Sequence, residues 1–540
     1  MDSKILDFIR QRKATFFIGN GVSVIPPSCL PSWWQINHIT LDSLANESYS
    51  LVPEVKQLTS LIKKREEDGN LPPEFVAEVI TNRMGSSYFD VLQVLEGDVL
   101  NQVHLWLATL GKADMISAIV TTNFDTLIER AFEIVGVPLR VFVDPQDYET
   151  INISENSIMA KEDPCMLLKL HGTVNRPDTC IDTLVQRRRG LHPTILRALN
   201  YLGHQTFWVF LGYSGADFEA DANYLGIRTR VNNAPGFAWL HHPDVTPLPA
   251  VTSLTELYGF ERGIIEFGAL PTWLNDIAKI LPLHILPPPA YNLSPETIQK
   301  IRAETVMKIA LNAQKWASER GEAECALVLS EIGVKAGYYA DSKTVLLKLL
   351  EGRHEEKLDS FALGIIYQEL GNIASHFDEN KDALAYYQEA IVHYQHAKNI
   401  EGIFHSLRTL YDLANVIYQT GDINQAKNYY EEAIRLSEQY GQQRLRDTFR
   451  LNYASKLFQL ENYSTALELY TQTFESSKER KDYLQAGRST YYAGLTHLRM
   501  KNQQGAINAI ENAISIWQVL EEEPAQLEDA QKLLQSLKDN

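Results

Sequence analysis

Leu167-Leu-Lys-Leu-His-Gly172 is a short apolar run that ends in an imidazole and a glycine. Three other stretches are built the same way: Phe16-Phe-Ile-Gly-Asn-Gly-Val-Ser23, Ile119-Val-Thr-Thr-Asn-Phe-Asp125 and Trp208-Val-Phe-Leu-Gly-Tyr-Ser-Gly-Ala-Asp217. Each reads as a buried strand that stops abruptly at Gly, Asn, Ser, His or Asp. In a parallel α/β sheet the carboxyl ends of the strands point at one crevice, and ligands bind there. Four such ends predict a parallel α/β sheet with a site above it.

Working outward, short apolar runs alternate with helical stretches up to residue 286, the pattern of an α/β domain. Strands are expected at Thr15–Ile18, Ala118–Thr121, Leu139–Phe142, Met166–Leu170, Phe207–Gly212, Gly236–Leu240 and Gly263–Phe267. Residues 41–112 are helical in pattern and too long for a simple crossover, so they are expected to form a helical insertion over the sheet. Pro287-Pro-Pro289, inside a proline-rich linker at 287–296, marks the expected boundary, and Ser294-Pro-Glu-Thr297 reads as a helix start.

Residues 297–540 are helical in pattern, and they repeat. Ala383, Ala426, Ala466 and Ala506 anchor four alignable segments at steps of 43, 40 and 40 residues. Gly371, Ala414, Ala454 and Gly494 each precede one of these alanines by 12 residues, and Tyr387, Tyr430, Tyr470 and Ile510 each follow by four. In a helix hairpin the two small residues permit close approach, and the large one fills the groove between the helices. The pattern resembles the tetratricopeptide repeat in a longer-period form. Thr297–Leu350 would be one or two degenerate units, and Gln526–Lys538 a capping helix. Such arrays hold a peptide, a partner domain or a sister subunit on a concave face.

The net charge of −18 argues against broad binding to nucleic acid or to an anionic membrane surface. Arg187-Arg-Arg189 reads as a solvated loop or helix face rather than a basic pocket. No apolar run approaches the roughly 20 residues that cross a bilayer, and the first ten residues read as an amphipathic helix without a signal-peptide core. Cys29, Cys165, Cys180 and Cys325 form no C-x-x-C pair, so neither a structural zinc nor a disulfide framework is expected. A cytoplasmic protein that uses no metal is the simplest reading.

Across Phe16–Asp217 the first half resembles the sirtuin family, and the resemblance implies a Rossmann-like parallel sheet that binds NAD. Gly19-Asn-Gly-Val-Ser23 stands where that family has Gly-Ala-Gly-x-Ser, Thr121-Thr-Asn-Phe-Asp125 where it has a Thr-Gln-Asn-Ile-Asp type segment, His171-Gly172 at its histidine–glycine, and Gly212-Tyr-Ser214 at its Gly-x-Ser. The chain lacks the paired cysteines of the deacylases' zinc ribbon, and Asn20 replaces the usual alanine. It looks more like the prokaryotic sirtuin-like domains of antiphage defence, which are fused to a sensing or assembly region. The resemblance implies an NAD hydrolase that releases nicotinamide and ADP-ribose, is triggered by infection through a phage or host protein on the repeats, and assembles as a homo-oligomer.

The same resemblance suggests roles. Asn123 would orient a water or a ribose hydroxyl, because its carboxamide both donates and accepts. His171 would be the general base, and Asp125 would bind the nicotinamide carboxamide. Gly19, Asn20, Gly21 and Ser23 would lie at the pyrophosphate, with Gly212 and Ser214 on the adenosine side. On the residues alone, Asn123, Asp125, Ser214 and Asp217 are also expected helix caps. Trp33 and Trp34 read as core or lid residues, and Glu129, Arg130 and Asp144 carry no assigned role. Two other functions fit the motifs: NAD-dependent deacylation, and a non-catalytic NAD or ADP-ribose sensor scaffolded by the repeats. No Gly-x-x-x-x-Gly-Lys-Ser/Thr loop supports an ATP switch.

Overall fold

The computed structural model describes residues 3–116, 118–151, 164–180, 191–220, 224–281, 293–351, 358–397, 399–480, 482–520 and 524–539. The Pro287–Pro289 linker and Arg187–Arg189 lie outside them. The chain forms two compact units, Met1–Leu349 and Leu350–Asn540.

The first unit is built on seven strands: β1 (Ala14–Ile18), β2 (Ala118–Thr121), β3 (Leu139–Phe142), β4 (Cys165–Lys169), β5 (Phe207–Leu211), β6 (Phe237–His241) and β7 (Gly263–Phe267). Each lies within one residue of its expected position. All pairings are parallel, in the order β3-β4-β2-β1-β5-β6-β7. Strands of such a sheet are covered on both faces, so they read as continuous apolar runs. Phe16, Ile18, Ile119, Leu167 and Val209 fill one core. The alternate residues Phe17, Val120, Leu168 and Phe210 fill the other.

From β1 the chain first builds outward through β2, β4 and β3, then crosses to β5 on the other side. That reversal puts the topological switch point at the carboxyl end of β1, flanked by β2 and β5. In open α/β sheets this is where the crevice opens. Register aligns the ends: Ile18 sits opposite both Thr121 and Leu211, and Thr121 opposite Lys169.

Between β1 and β2 the helix Gln102–Lys112 is the true crossover, since Val103, Leu105, Trp106, Leu107 and Leu110 are buried in the sheet's core. The inserted helices begin earlier than residue 41, at Trp33–Ser48, and continue as Val55–Glu67 and Pro73–Met84. Helices Pro295–Arg320 and Glu322–Lys335 pack back on these inserted helices, which is why the compact unit runs to Leu349. Trp316, Ala317, Cys325 and Leu329 are buried there, and Arg83 forks onto Glu324 at 2.6 and 2.8 Å. Sequence periodicity alone reads these helices with the repeats. Their burial partners, supplied by a segment over 200 residues away, put them in the first unit.

The second unit is an all-α stack of hairpins from Ser360–His376 to Pro524–Asp539. The expected anchors meet: a Cβ on Gly371 would lie 2.6 Å from the Tyr387 ring, and one on Gly494 2.8 Å from Ile510. A second repeat feature accompanies them. Tyr387 donates to Asn372 Oδ1 at 2.8 Å and Tyr430 to Asn415 Oδ1 at 2.7 Å. Each asparagine directly follows the small residue of its hairpin, so packing and polar satisfaction recur with the same period.

Candidate functional site

At the switch point a cavity of about 550 Å³ opens, within the roughly 300–1,000 Å³ range of small-molecule and cofactor sites. Its walls include Asn20 and Gly21 after β1, Asn123 and Asp125 after β2, His171 after β4, and Gly212 and Ser214 after β5. Four loops distant in sequence thus share one crevice. Gly19 and Ser23 do not line it; they shape it from behind. Leu30, Trp33, Trp34, Ile36, Glu74 and Leu95 form the opposite wall.

The glycines are required by packing of one turn on another. Gly19 N donates to Leu211 O at 3.0 Å, and Gly21 N to Gly212 O at 2.8 Å. A Cβ on Gly19 would fall 2.5 Å from Gly212 O, and one on Gly212, at φ +62°, 2.6 Å from Val22 N. The amides of Val22, Ser23 and Val24 turn back onto the carbonyls of Gly19 and Asn20. The turn therefore presents its side chains and Cα surface, with the exposed Asn20 at the rim, more than a set of free amides.

Asn123 is 5% exposed. Its Nδ2 donates to Gly19 O at 3.3 Å and to Ser23 Oγ at 3.2 Å, and its Oδ1 is buried with no partner among the described residues. Ser23 Oγ in turn donates to Asp125 Oδ2 at 2.7 Å, while Asp125 Oδ1 accepts from Leu127 N at 3.1 Å. Asp125 thus does cap the helix Leu127–Val135, and it lines the cavity as well. Ser214 Oγ likewise accepts from Ala216 N at 3.3 Å and stays exposed to the cavity.

The His171 loop is stitched to the Asn123 loop by Leu170 N to Thr121 O at 2.9 Å and Val174 N to Phe124 O at 3.0 Å. His171 Nε2 lies 2.7 Å from the Tyr224 hydroxyl and 3.9 Å from Asp217 Oδ1, and Tyr213 donates to Asp217 Oδ2 at 2.6 Å. Behind the site the buried Lys169 ammonium donates to Asp125 O at 2.5 Å and Glu129 Oε1 at 2.9 Å. Lys169 and Tyr224 support the site without lining it, whereas Tyr213 and Asp217 line the cavity itself; motif reading gave Lys169, Tyr213 and Tyr224 no role and Asp217 only that of a helix cap. A lysine inside Leu167-Leu-Lys-Leu was the one available signal, since an unpaired buried ammonium is prohibitively costly. Arg130 pairs with Asp98. Asp144, whose carboxyl is held low by the Asp147 amide and the Arg176 guanidinium, caps Pro145–Glu149. Both lie outside the cavity wall.

Residues 117–252 match the family model of the SIR2-like domain. The chain carries a SIR2-like domain. The matched stretch holds Asn123, Asp125, His171, Gly212 and Ser214; the glycine turn at 19–21 lies upstream of it. Residues 363–536 match the model of the soluble NSF attachment protein, SNAP, and the second unit is an array of SNAP- and tetratricopeptide-like helical repeats. The chain is also similar to a solved Signal Transduction ATPase with Numerous Domains from Pyrococcus horikoshii that has a tetratricopeptide repeat sensor. Identity is 11% over 99% of this chain and 95% of that one, and the TM-score is 0.26; at that score the likeness carries no argument. No curated protein matches the chain. Among the described residues no cluster of His, Cys, Asp and Glu could hold a metal ion, and no helix is long and apolar enough to cross a membrane.

Proposed function

We propose that the SIR2-like domain hydrolyses NAD at the nicotinamide–ribose bond, with Asn123 and His171 as the working pair. A SIR2-like domain implies a role for NAD. The observation that carries the finer reading is the unpaired, buried Oδ1 of Asn123 in a cavity that His171 also lines. Leaving a buried acceptor unsatisfied costs about 1–3 kcal/mol, a cost that is recovered when a ligand hydroxyl or water donates to it.

In the reaction the C1′–N bond breaks and its electron pair leaves with neutral nicotinamide. The ribose becomes oxocarbenium-like, and a water adds to C1′ as its proton passes to His171. Asn123 Oδ1 accepts from that water or from a ribose hydroxyl and so directs it. Asp125 puts a carboxylate beside the developing cation. Gly21 and Gly212, which have no Cβ, let the dinucleotide approach the backbone, with Asn20 and Ser214 at its polar edge. The products are nicotinamide, ADP-ribose and a proton.

The repeat unit is proposed to sense a phage or host trigger or to assemble copies of the chain, so that NAD is depleted on infection. The test is chromatography of NAD incubated with the purified chain, alone and with lysate from infected cells, for wild type, Asn123→Ala and His171→Ala. Release of nicotinamide with free ADP-ribose, lost in both variants, supports the reading. Acyl-ADP-ribose formed only with acyl-lysine peptides would replace it with deacylation. Tight NAD binding without turnover under every condition would replace it with sensing.

A further inference from the structure

We infer that Tyr224 and Asp217 are positioning residues for His171: a buried hydroxyl and a buried carboxylate set the orientation and the proton-bearing nitrogen of the imidazole before substrate arrives. The inference rests on the hydrolase reading of the cavity, and it gives Tyr224, which lies outside every motif, and Asp217, so far only an expected helix cap, a part in the site.

His171, Tyr224, Asp217 and Tyr213 are 2, 1, 4 and 8% exposed, and they come from three places: the end of β4, the turn after β5 and the segment beyond it. Tyr224 Oη is 2.7 Å from Nε2, a full hydrogen bond. Its direction depends on the tautomer: the hydroxyl donates to a bare Nε2 or accepts from Nε2–H. Asp217 Oδ1, at 3.9 Å from the same nitrogen, is too far for a hydrogen bond, yet at that distance in a buried setting it attracts a protonated ring substantially. The other oxygen of Asp217 accepts from Tyr213 at 2.6 Å, which fixes the carboxylate. The rings of Tyr224 and Phe124 flank the imidazole at 5.9 and 6.3 Å between centroids.

This arrangement suits a base that must carry a proton briefly. When His171 becomes an imidazolium, Nε2–H donates to the Tyr224 oxygen and the Asp217 carboxylate compensates the charge. A base oriented by a third group is the general logic of activated sites; here the orienting group is a hydroxyl, with the carboxylate one step behind.

Tyr224→Phe deletes the hydroxyl and keeps the ring packing, so it separates positioning from structure. The experiment uses the full chain with ¹⁵N-labelled histidine, the His171 signals being assigned by their loss in His171→Gln. Two-bond proton–nitrogen spectra then report which ring nitrogen is protonated. Wild type is expected to show one dominant tautomer, with the Nε2 resonance moved and the tautomers mixed in Tyr224→Phe. In NAD hydrolysis, kcat is expected to fall about ten- to a hundredfold, in the range seen for supporting-layer losses, with KM within about twofold and the melting temperature retained. Asp217→Asn is expected to lower kcat further at similar KM. An Nε2 resonance and kcat unchanged in Tyr224→Phe would overturn the inference, as would equal losses in kcat, KM and melting temperature. If wild type consumes no NAD, the functional reading fails and the nitrogen spectra alone decide the positioning.

Discussion

Asn123 Nδ2 lies 3.3 Å from the Gly19 carbonyl oxygen, and this contact decides which end of the carboxamide is left over. A carbonyl only accepts, so the amide cannot be flipped without setting two acceptors against each other. The same nitrogen donates to Ser23 Oγ, whose proton goes to Asp125, giving a chain with one direction. Among the described residues Oδ1 is the end without a partner.

Asn123→Ala should therefore remove two buried bonds and the acceptor proposed to direct the nucleophile. NAD hydrolysis is expected to fall at least about a hundredfold, the scale of losing one preorganised polar group in an active site. Circular dichroism should show a retained fold, with stability lowered by about 1–3 kcal/mol. Asn123→Asp should do no better, because its carboxylate would face the Gly19 carbonyl. Wild-type turnover in either variant would remove Asn123 from the mechanism.

The packing of turn on turn predicts a contrast between two glycines with similar backbones. Gly69 and Gly212 have φ of +71° and +62°, but a Cβ on Gly69 meets nothing within 4 Å, whereas one on Gly212 meets Val22 N at 2.6 Å. Gly69→Ala should cost about 1–2 kcal/mol from its left-handed backbone alone. Gly212→Ala should cost roughly 2–4 kcal/mol and also weaken NAD binding, since the loops after β1 and β5 must separate. Urea titrations of the two variants give the difference; equal costs would mean the turns do not depend on this contact.

In the repeats, Tyr430 separates hydroxyl from ring. Its OH donates to Asn415 Oδ1 at 2.7 Å and its ring stacks on Tyr453 at 4.7 Å. Tyr430→Phe should lose about 1 kcal/mol, and Tyr430→Ala about 3–5 kcal/mol through the cavity it leaves. Denaturation followed by helical circular dichroism would check both, and a Phe variant as damaged as the Ala variant would show that the polar contact, not the packing, holds the hairpin.

Strand positions and the loops that line the cavity were legible because buried parallel strands are uninterrupted apolar runs, and the residues that end them, such as Asn123 and His171, are conspicuous beside Ile119–Val120 and Leu167–Leu168. The cavity's other wall was not legible. Ile36 reaches it from the inserted helix Trp33–Ser48, Leu30 from the loop before that helix and Leu95 from the 3-10 segment Ser86–Glu96; periodicity shows that such segments bury a face but not which surface they bury it against. Tyr224 was invisible for a similar reason: its hydroxyl meets His171 only through tertiary packing. Proline-rich chain at 287–296 suggested a boundary there, but the first compact unit runs to Leu349, because Pro295–Arg320 and Glu322–Lys335 belong with the inserted helices through contacts such as Arg83 with Glu324, which no local pattern encodes.

Glu66 supplies a prediction about pH. Its carboxyl is buried beneath the inserted helix Trp33–Ser48, where Asn37 Nδ2 donates to it at 2.9 Å and His38 Nε2 lies 3.1 Å away. Burial, with Glu74 and Glu67 nearby, raises its pKa from the ordinary 4.5 to about 7, and burial also holds His38 below its usual value. A carboxyl whose pKa is higher in the folded state binds its proton more tightly there. Its contribution is thus complete below pH 4.5 and is lost as pH rises to about 7. The full loss is at most roughly 3 kcal/mol. His38 acts in the opposite direction, losing stability as pH falls through its unfolded value, so the net slope is smaller than Glu66 alone would give. Glu66→Gln keeps an acceptor for Asn37 and stays neutral throughout. It should raise the melting temperature at pH 8, leave it little changed at pH 4.5, and flatten the profile between them. A Gln variant less stable than wild type at pH 8 would mean that the ionised carboxylate, paired with a protonated His38, is the form the fold prefers.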